Sequence, residues 1–244
     1  MTQIHLAMII RDEFNKRVDE INSFYEILSL IELESPKISA YDITESVEKV
    51  IVINPAKIDT LRSTSYLLLY NLIESTVYNS ITTIFDEIKD SRLKYFDIID
   101  DVQKYWLNNI YKHDDKKKKE TIIETIMKIA NQIFTDTIEL ASTEINYGGS
   151  LDAQTIFATA KSMKIEVGNI RRIYDESIHG QILIDVKKKR NWLAHGEKSF
   201  IEVGSSSTFS QLEDAKKYIC DFLDEYIASV ELYITNKHFQ VVIA

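Results

Sequence analysis

The sequence predicts an all-α fold: a helical bundle with an antiparallel four-helix core and an extra N-terminal helix. Three observations predict it. Glycine and proline number only 6 and 2 in 244 residues, too few turn-makers for a sandwich or barrel that turns about every ten residues. Tyr66, Tyr70, Ile73, Val77, Ile81, Ile84 and Ile88 recur in steps of three and four, the period of one helix face. Ser210-x-x-Glu213 reads as a capping box. It precedes a second such stripe: Leu212, Ala215, Ile219, Phe222, Tyr226, Val230 and Tyr233.

Taken in order, residues 4–34 read as one helix ended by Ser35-Pro36. Residues 36–60 are the least regular part: VIVI at 50–53 fits a short strand, and Asn54-Pro55 is a turn signal. Residues 1–60 thus form an N-terminal helix and connector, and 61–244 the main helical domain. Within that domain a helix over 62–88 carries the first stripe, and another spans 92–112, closed by HDDKKKK. The stripe Ile122, Ile126, Ile129, Ile133, Thr137, Leu140 marks a helix over 119–145 that stops at Tyr147-Gly148-Gly149. Asp152 is placed to cap a shorter helix, 152–165. Residues 168–180 are ambiguous. A helix over 181–195 stops at Gly196, and the last helix covers 210–237. The core is expected from 62–88, 119–145, 181–195 and 210–237.

The totals exclude several function classes. A single cysteine, Cys220, rules out an intramolecular disulfide framework and a cysteine-based zinc site, and suits a reducing cytosol. The N-terminal stretch MTQIHLAMIIRDEF lacks a basic n-region and a small-residue cleavage site. The longest apolar run, YLLLYNLI at 66–73, is about a third of a membrane span. A soluble, cytoplasmic protein without membrane contact is expected. The formal net charge of −9 opposes general coating of nucleic acid, yet leaves room for a local basic site.

Such a site is offered by KKKRNWLAHGEKSF, 187–200. Arg and His lie close together there, without a surrounding cluster of carboxylates or cysteines. His5, His113, His179 and His238 are scattered without metal-ligand spacing, so neither metal nor cofactor is expected. Arg with His suits metal-independent phosphate chemistry. RNA is cleaved by its own 2′-hydroxyl when one group takes that proton and another protonates the leaving 5′-oxygen. Histidine titrates near neutral pH and suits proton transfer. Arginine holds phosphate oxygens through a fixed fork. On a helix, Lys187, Arg190, Asn191, Ala194 and His195 line one face. Asn191 stands one turn before His195, placed to orient its ring. Trp192 and Leu193 project elsewhere and can anchor the helix. Gly196 takes the C′ position, leaving His195 in the last turn. The Arg-to-His spacing alone is a weak pattern, because Arg172 and His179 in RRIYDESIH also satisfy it. There, however, Asp175-Glu176 stand where phosphate would approach, which favours 190/195.

RNWLAHG resembles the Arg-polar-x-x-x-His signature of the HEPN superfamily, whose catalytic members are metal-independent ribonucleases. LLLYNLIESTV (67–77), GGSLDAQTI (148–156) and KKKRNWLAHGEKSFIEVG (187–204) resemble the MAE-type branch of these proteins. The likeness covers roughly 62–237. It implies a HEPN-like bundle and a homodimer whose two Arg/His pairs share a cleft. The implied reaction is endoribonuclease cleavage leaving 2′,3′-cyclic phosphate ends, in a toxin or anti-phage effector with an antitoxin protein as possible partner. By the same likeness Arg190 and His195 are catalytic, Asn191 supports them, and Glu74 matches an acidic position on an early helix. Some HEPN toxins carry a tyrosine two residues after the histidine, which an antitoxin modifies; Glu197 stands there instead.

Competing readings stay open. Lys187, Lys188 and Lys189 read equally as a solvated face or as a positive funnel that binds RNA. Glu74 is either a reacting group or a buried partner for an arginine. The rival to a ribonuclease is a non-catalytic HEPN-like scaffold that binds a nucleotide or a protein in the same cleft.

Overall fold

A computed structural model describes residues 3–110, 119–135, 138, 140, 151–167 and 178–242. In chain order these form α1 (Gln3–Ile31), β1 (Lys37–Asp42), β2 (Val47–Val52), α2 (Pro55–Asp90), a 3₁₀ turn at Tyr95–Asp97 and α3 (Asp100–Ile110). There follow α4 (Lys119–Thr135), α5 (Ala153–Ser162), α6 (Ile178–His195), α7 (Phe200–Gly204) and α8 (Phe209–Thr235). The fold is mostly α, as expected. The helix stop at Tyr147-Gly148-Gly149, Thr137 of the third stripe, the HDDKKK run before Lys119, and Arg172 of the second Arg/His pair lie outside the described residues.

Local chemistry moves several boundaries. Asn54 stays extended, and its side chain accepts the Lys57 amide at 3.0 Å. Pro55 takes the first helical position, where its missing N–H has no partner to lose. Asn54-Pro55 is therefore a helix start, and α2 begins well before residue 62. VIVI lies within or beside β2, which pairs antiparallel with β1, Ile38 opposite Ile51 and Asp42 opposite Val47. Both faces of this hairpin are open to solvent along most of its length. The last helix starts from Thr208 rather than Ser210: Thr208 Oγ1 accepts the Gln211 amide at 3.3 Å while Gln211 Oε1 accepts the Thr208 amide at 2.9 Å. A second capping box, Ser199 with Glu202, opens α7.

α2 lies at the centre, against α1, α6, α7 and α8. All seven residues of its predicted stripe are buried, and so are the seven of α8. At roughly 2 kcal/mol for each large apolar side chain removed from water, these two faces dominate the core. The expected third core helix differs. Of its stripe, Ile126 is 52 % exposed, and Ile122, Ile129 and Ile133 are only half-buried. α1 does fill the core, through Ile10, Phe14, Ile21, Tyr25, Leu28 and Ile31. The sequence marks this segment as a helix but places it outside the expected core, because nothing local shows that it docks on α2 and α8. Ion pairs fix that docking: Arg11 grips Glu231 through two bonds of 2.8 and 2.9 Å and also pairs with Asp224. Arg62 pairs with Glu32. No helix among the described residues is long and apolar enough to cross a membrane.

α7 follows directly after α6 and rests on the first turns of α2. Its last residue, Gly204, is so close to α2 that a Cβ there would lie 1.8 Å from the Asp59 carbonyl oxygen. That contact is with backbone, so it cannot be relieved by a side-chain rotation. Gly204→Ala is expected to destabilise the protein by about 3 kcal/mol, read as a lower urea midpoint. An unchanged midpoint would show that α7 does not approach α2 this closely.

Candidate active site

α6 carries the Arg-to-His segment and is seated by a buried ammonium. Lys189 is 9 % exposed. Its Nζ donates to Tyr66 Oη and Ser207 Oγ, each at 2.9 Å, and pairs with Asp185 at 2.9 Å. Tyr66 and Ser207 also bond each other at 2.6 Å, and Lys189 Nζ lies 4.6 Å from the Tyr66 ring centre. Burial pushes the Lys189 ammonium down, but the bonds from Tyr66 and Asp185 outweigh it and hold the group above the usual lysine range. Lys189, expected among the substrate-binding residues, has its ammonium engaged by these three oxygens and ties α6 to α2 and to the α7–α8 connection. A run of three lysines cannot be sorted by composition. On a helix successive residues point about 100° apart, so one of three adjacent lysines readily faces inward.

With α6 fixed this way, Arg190 faces the next turn of α2. Its guanidinium carbon lies over the Tyr70 ring, 4.5 Å from its centre, within cation–π range. Nη1 donates to Asn191 Oδ1 at 3.1 Å. Tyr70 is held in turn by the Leu151 amide, which donates to its hydroxyl at 2.9 Å. Burial, first, and the nearby charge of Glu74 push the Tyr70 phenol above its usual range, against the opposing pull of the Leu151 amide and the charge of Arg190. Tyr70 thus stays neutral. Glu74, one turn along α2, is half-buried and flanks the same phenol as Arg190. Among the described residues the two form no ion pair, so the structure brings Glu74 beside the site without joining it to the arginine.

Asn191 is turned toward Arg190 through its carbonyl oxygen rather than serving as an acceptor for the His195 ring. His195 is exposed and ends α6. The helix stops as predicted. Gly196 has φ +69°, its amide reaches the Leu193 carbonyl, and the Glu197 amide reaches that of Trp192 at 2.9 Å. This is a Schellman closure. His195 stands five residues beyond Arg190, about 7.5 Å along the axis.

Beside this couple runs a groove of about 410 Å³ lined by Asp152, Ile184, Lys187, Lys188, Asn191, Trp192 and Glu197. Ile184, Lys187, Lys188, Asn191 and His195 share one helical face, so His195 follows Asn191 by one turn on that face, although neither it nor Arg190 lines the groove itself. Lys187 bonds Asp152 at 2.8 Å, and Asp152 also caps α5 by accepting the Thr155 amide and hydroxyl at 2.8 and 2.9 Å. Burial pushes the Asp152 carboxyl up, but Lys187 and Thr155 outweigh it and hold it below the usual carboxylate range. Lys188 is exposed. Trp192 lines the groove as well as touching the core, so it is more than the anchor expected. In the sequence Tyr70 is one residue of a core stripe and Asp152 a helix cap, with no local sign of a role at the site. Only the fold brings Tyr70 to Arg190 and Asp152 to Lys187. Cys220 lies elsewhere, and burial pushes its thiol up to about 11, which leaves it a poor nucleophile.

Two outcomes test this arrangement. Lys189→Met is expected to cost about 2 kcal/mol in urea unfolding, while Lys188→Met stays within about 0.5 kcal/mol; equal effects would contradict the division of roles. Because the Asp152 pKa is depressed in the folded state, its contribution is present at neutral pH and lost as pH falls through that lowered value. Asp152→Asn should therefore reduce stability at pH 7 and flatten its decline below the usual carboxylate range. A variant that declines in parallel with wild type would contradict it.

The model of the family described as HEPN_MAE_28990:/-like HEPN matches residues 7–239. No curated protein and no solved structure matches the chain significantly. The family match spans nearly all of the described helices, including the Arg190–His195 segment of α6. The chain belongs to this family and carries a MAE-type HEPN domain.

Proposed function

We propose that the chain is a metal-independent endoribonuclease, acting in the cytoplasm as a homodimer, in the role of a toxin or anti-phage effector restrained by an antitoxin protein. The observation that supports this reading is the clamp of Arg190 on Tyr70 and Asn191, with exposed His195 at the end of the same helix beside a lysine-bearing groove. HEPN domains are often ribonucleases, which lends the reading further support.

In the proposed reaction one His195 takes the proton of a 2′-hydroxyl. The freed oxygen attacks the adjacent phosphorus, and the bond to the 5′-oxygen breaks. His195 of the second copy gives a proton to that leaving oxygen. The products are a 2′,3′-cyclic phosphate and a 5′-hydroxyl. Arg190 steadies the charge on the pentacoordinate phosphate through its N–H fork. The Tyr70 ring and the Asn191 carbonyl limit how far the guanidinium turns, so less freedom is lost when phosphate binds. Lys187 and Lys188 guide the RNA backbone, and Glu74 tunes the charge around Tyr70.

RNA cleavage by wild type is expected to survive EDTA. It should fall about 10²- to 10⁴-fold in His195→Ala and in Arg190→Ala, with helical content unchanged by circular dichroism. Cleavage only on addition of a divalent metal, or full activity in His195→Ala, would overturn the mechanism. RNA or nucleotide binding without turnover would instead establish the scaffold reading.

A further inference from the structure

Trp192 combines features that a structural anchor does not need. Its ring is half-buried and lines the open groove rather than being enclosed by the core. Two ammonium groups lie over it: Lys198 Nζ is 3.8 Å and Lys188 Nζ 4.9 Å from the ring centre. Neither lysine forms a salt bridge among the described residues. An indole held beside two uncommitted cations is complementary to a ligand that presents both a π-face and negative charge. Single-stranded nucleic acid is such a ligand, with its bases stacking on aromatic rings and its phosphates meeting the lysines. Of the groove's two carboxylates, Asp152 is neutralised by Lys187. Glu197 remains as an acceptor for N–H groups on a base edge.

The position on α6 fits the chemistry. Trp192 precedes His195 by three residues, about 4.5 Å along the axis and about 60° around it, so the two side chains are neighbours on the helix surface. A nucleotide adjoining the scissile phosphate would therefore have its base within reach of the indole. We propose that Trp192 is a stacking platform for one base of single-stranded RNA, with Lys188 and Lys198 released from the ring to bind the flanking phosphates. The proposal rests on RNA being the ligand of this groove. It goes beyond cleavage by placing a base subsite and the two cations that serve it.

The composition makes this directly measurable. The protein has 2 tryptophans, and the other, Trp106, is 0 % exposed. Quenching of intrinsic emission by an added oligonucleotide therefore reports on Trp192. The probe is a single-stranded RNA hexamer titrated into full-length His195→Ala protein. Saturable quenching is expected, and it should vanish in the Trp192→Phe/His195→Ala double variant, whose remaining emission comes from Trp106. In the same background Trp192→Ala should weaken hexamer affinity about 10-fold or more, measured by anisotropy of a labelled strand, while Trp192→Phe retains most of it. Lys188→Gln with Lys198→Gln should flatten the salt dependence of that affinity.

The proposal is overturned if the hexamer binds without quenching, if Trp192→Ala binds as tightly as its parent, or if no hexamer binding is detected. Its failure is distinguishable from failure of the nuclease reading. Quenching without turnover in wild type would sustain the platform and remove the nuclease. Turnover with an unchanged KM in otherwise wild-type Trp192→Ala would sustain the nuclease and remove the platform.

Discussion

A single buried ammonium sets how α6 lies on α2. Lys189 Nζ is shared among Tyr66, Ser207 and Asp185, so it joins the central helix, the helix that carries Arg190 and His195, and the connection between α7 and α8. A charge this deep is tolerated only because its hydrogens are all given to oxygen. The restraint also fixes the rotation of α6. With Lys189 directed at Tyr66, the next residue, Arg190, meets Tyr70 one turn further along α2, and the face bearing Lys188, Asn191 and His195 turns toward solvent. Rotation of α6 by a single residue's angle, about 100°, would put Arg190 elsewhere and leave Lys189 unsatisfied.

The surrounding elements act on the same seam. α5 approaches through Leu151, whose amide holds the Tyr70 hydroxyl, and through Asp152, whose carboxylate holds Lys187. α7 closes the other side by the backbone contact at Gly204. The Schellman closure at Gly196 lets the chain turn from α6 into α7 without covering His195. Rigidity beneath the site and exposure at its end are thus both consequences of the helix termini. The arginine is restrained on an aromatic ring, whereas the histidine is left free at the rim.

Much of the fold was legible from periodicity, because the stripes of α2 and α8 are regular and their residues are apolar without interruption. The Gly196 stop and the Asp152 cap were legible as well, since each depends on local backbone chemistry. The failures have a common physical origin. Ile122 to Ile133 on α4 has the same period as α2, but period states that a face is apolar and not what covers it. Lys189 is chemically identical to Lys187 and Lys188, and only the rotation of α6 distinguishes the interior lysine from its neighbours. Tyr70 and Trp192 looked like core residues because a side chain on an apolar stripe can still turn an edge or a face toward a functional group. Arg190 and His195 were singled out by residue type and family likeness. Their partners became visible only in three dimensions.

In the proposed mechanism the substrate's own 2′-hydroxyl is the nucleophile, and protein side chains alone move the protons. The most direct measurement is end-group analysis of products formed in EDTA from an oligonucleotide containing one ribose among 2′-deoxy residues. Scission is expected only after that ribose, leaving a 2′,3′-cyclic phosphate on one fragment and a 5′-hydroxyl on the other. Scission of an all-deoxy strand, or fragments ending in a 3′-hydroxyl and a 5′-phosphate, would contradict it.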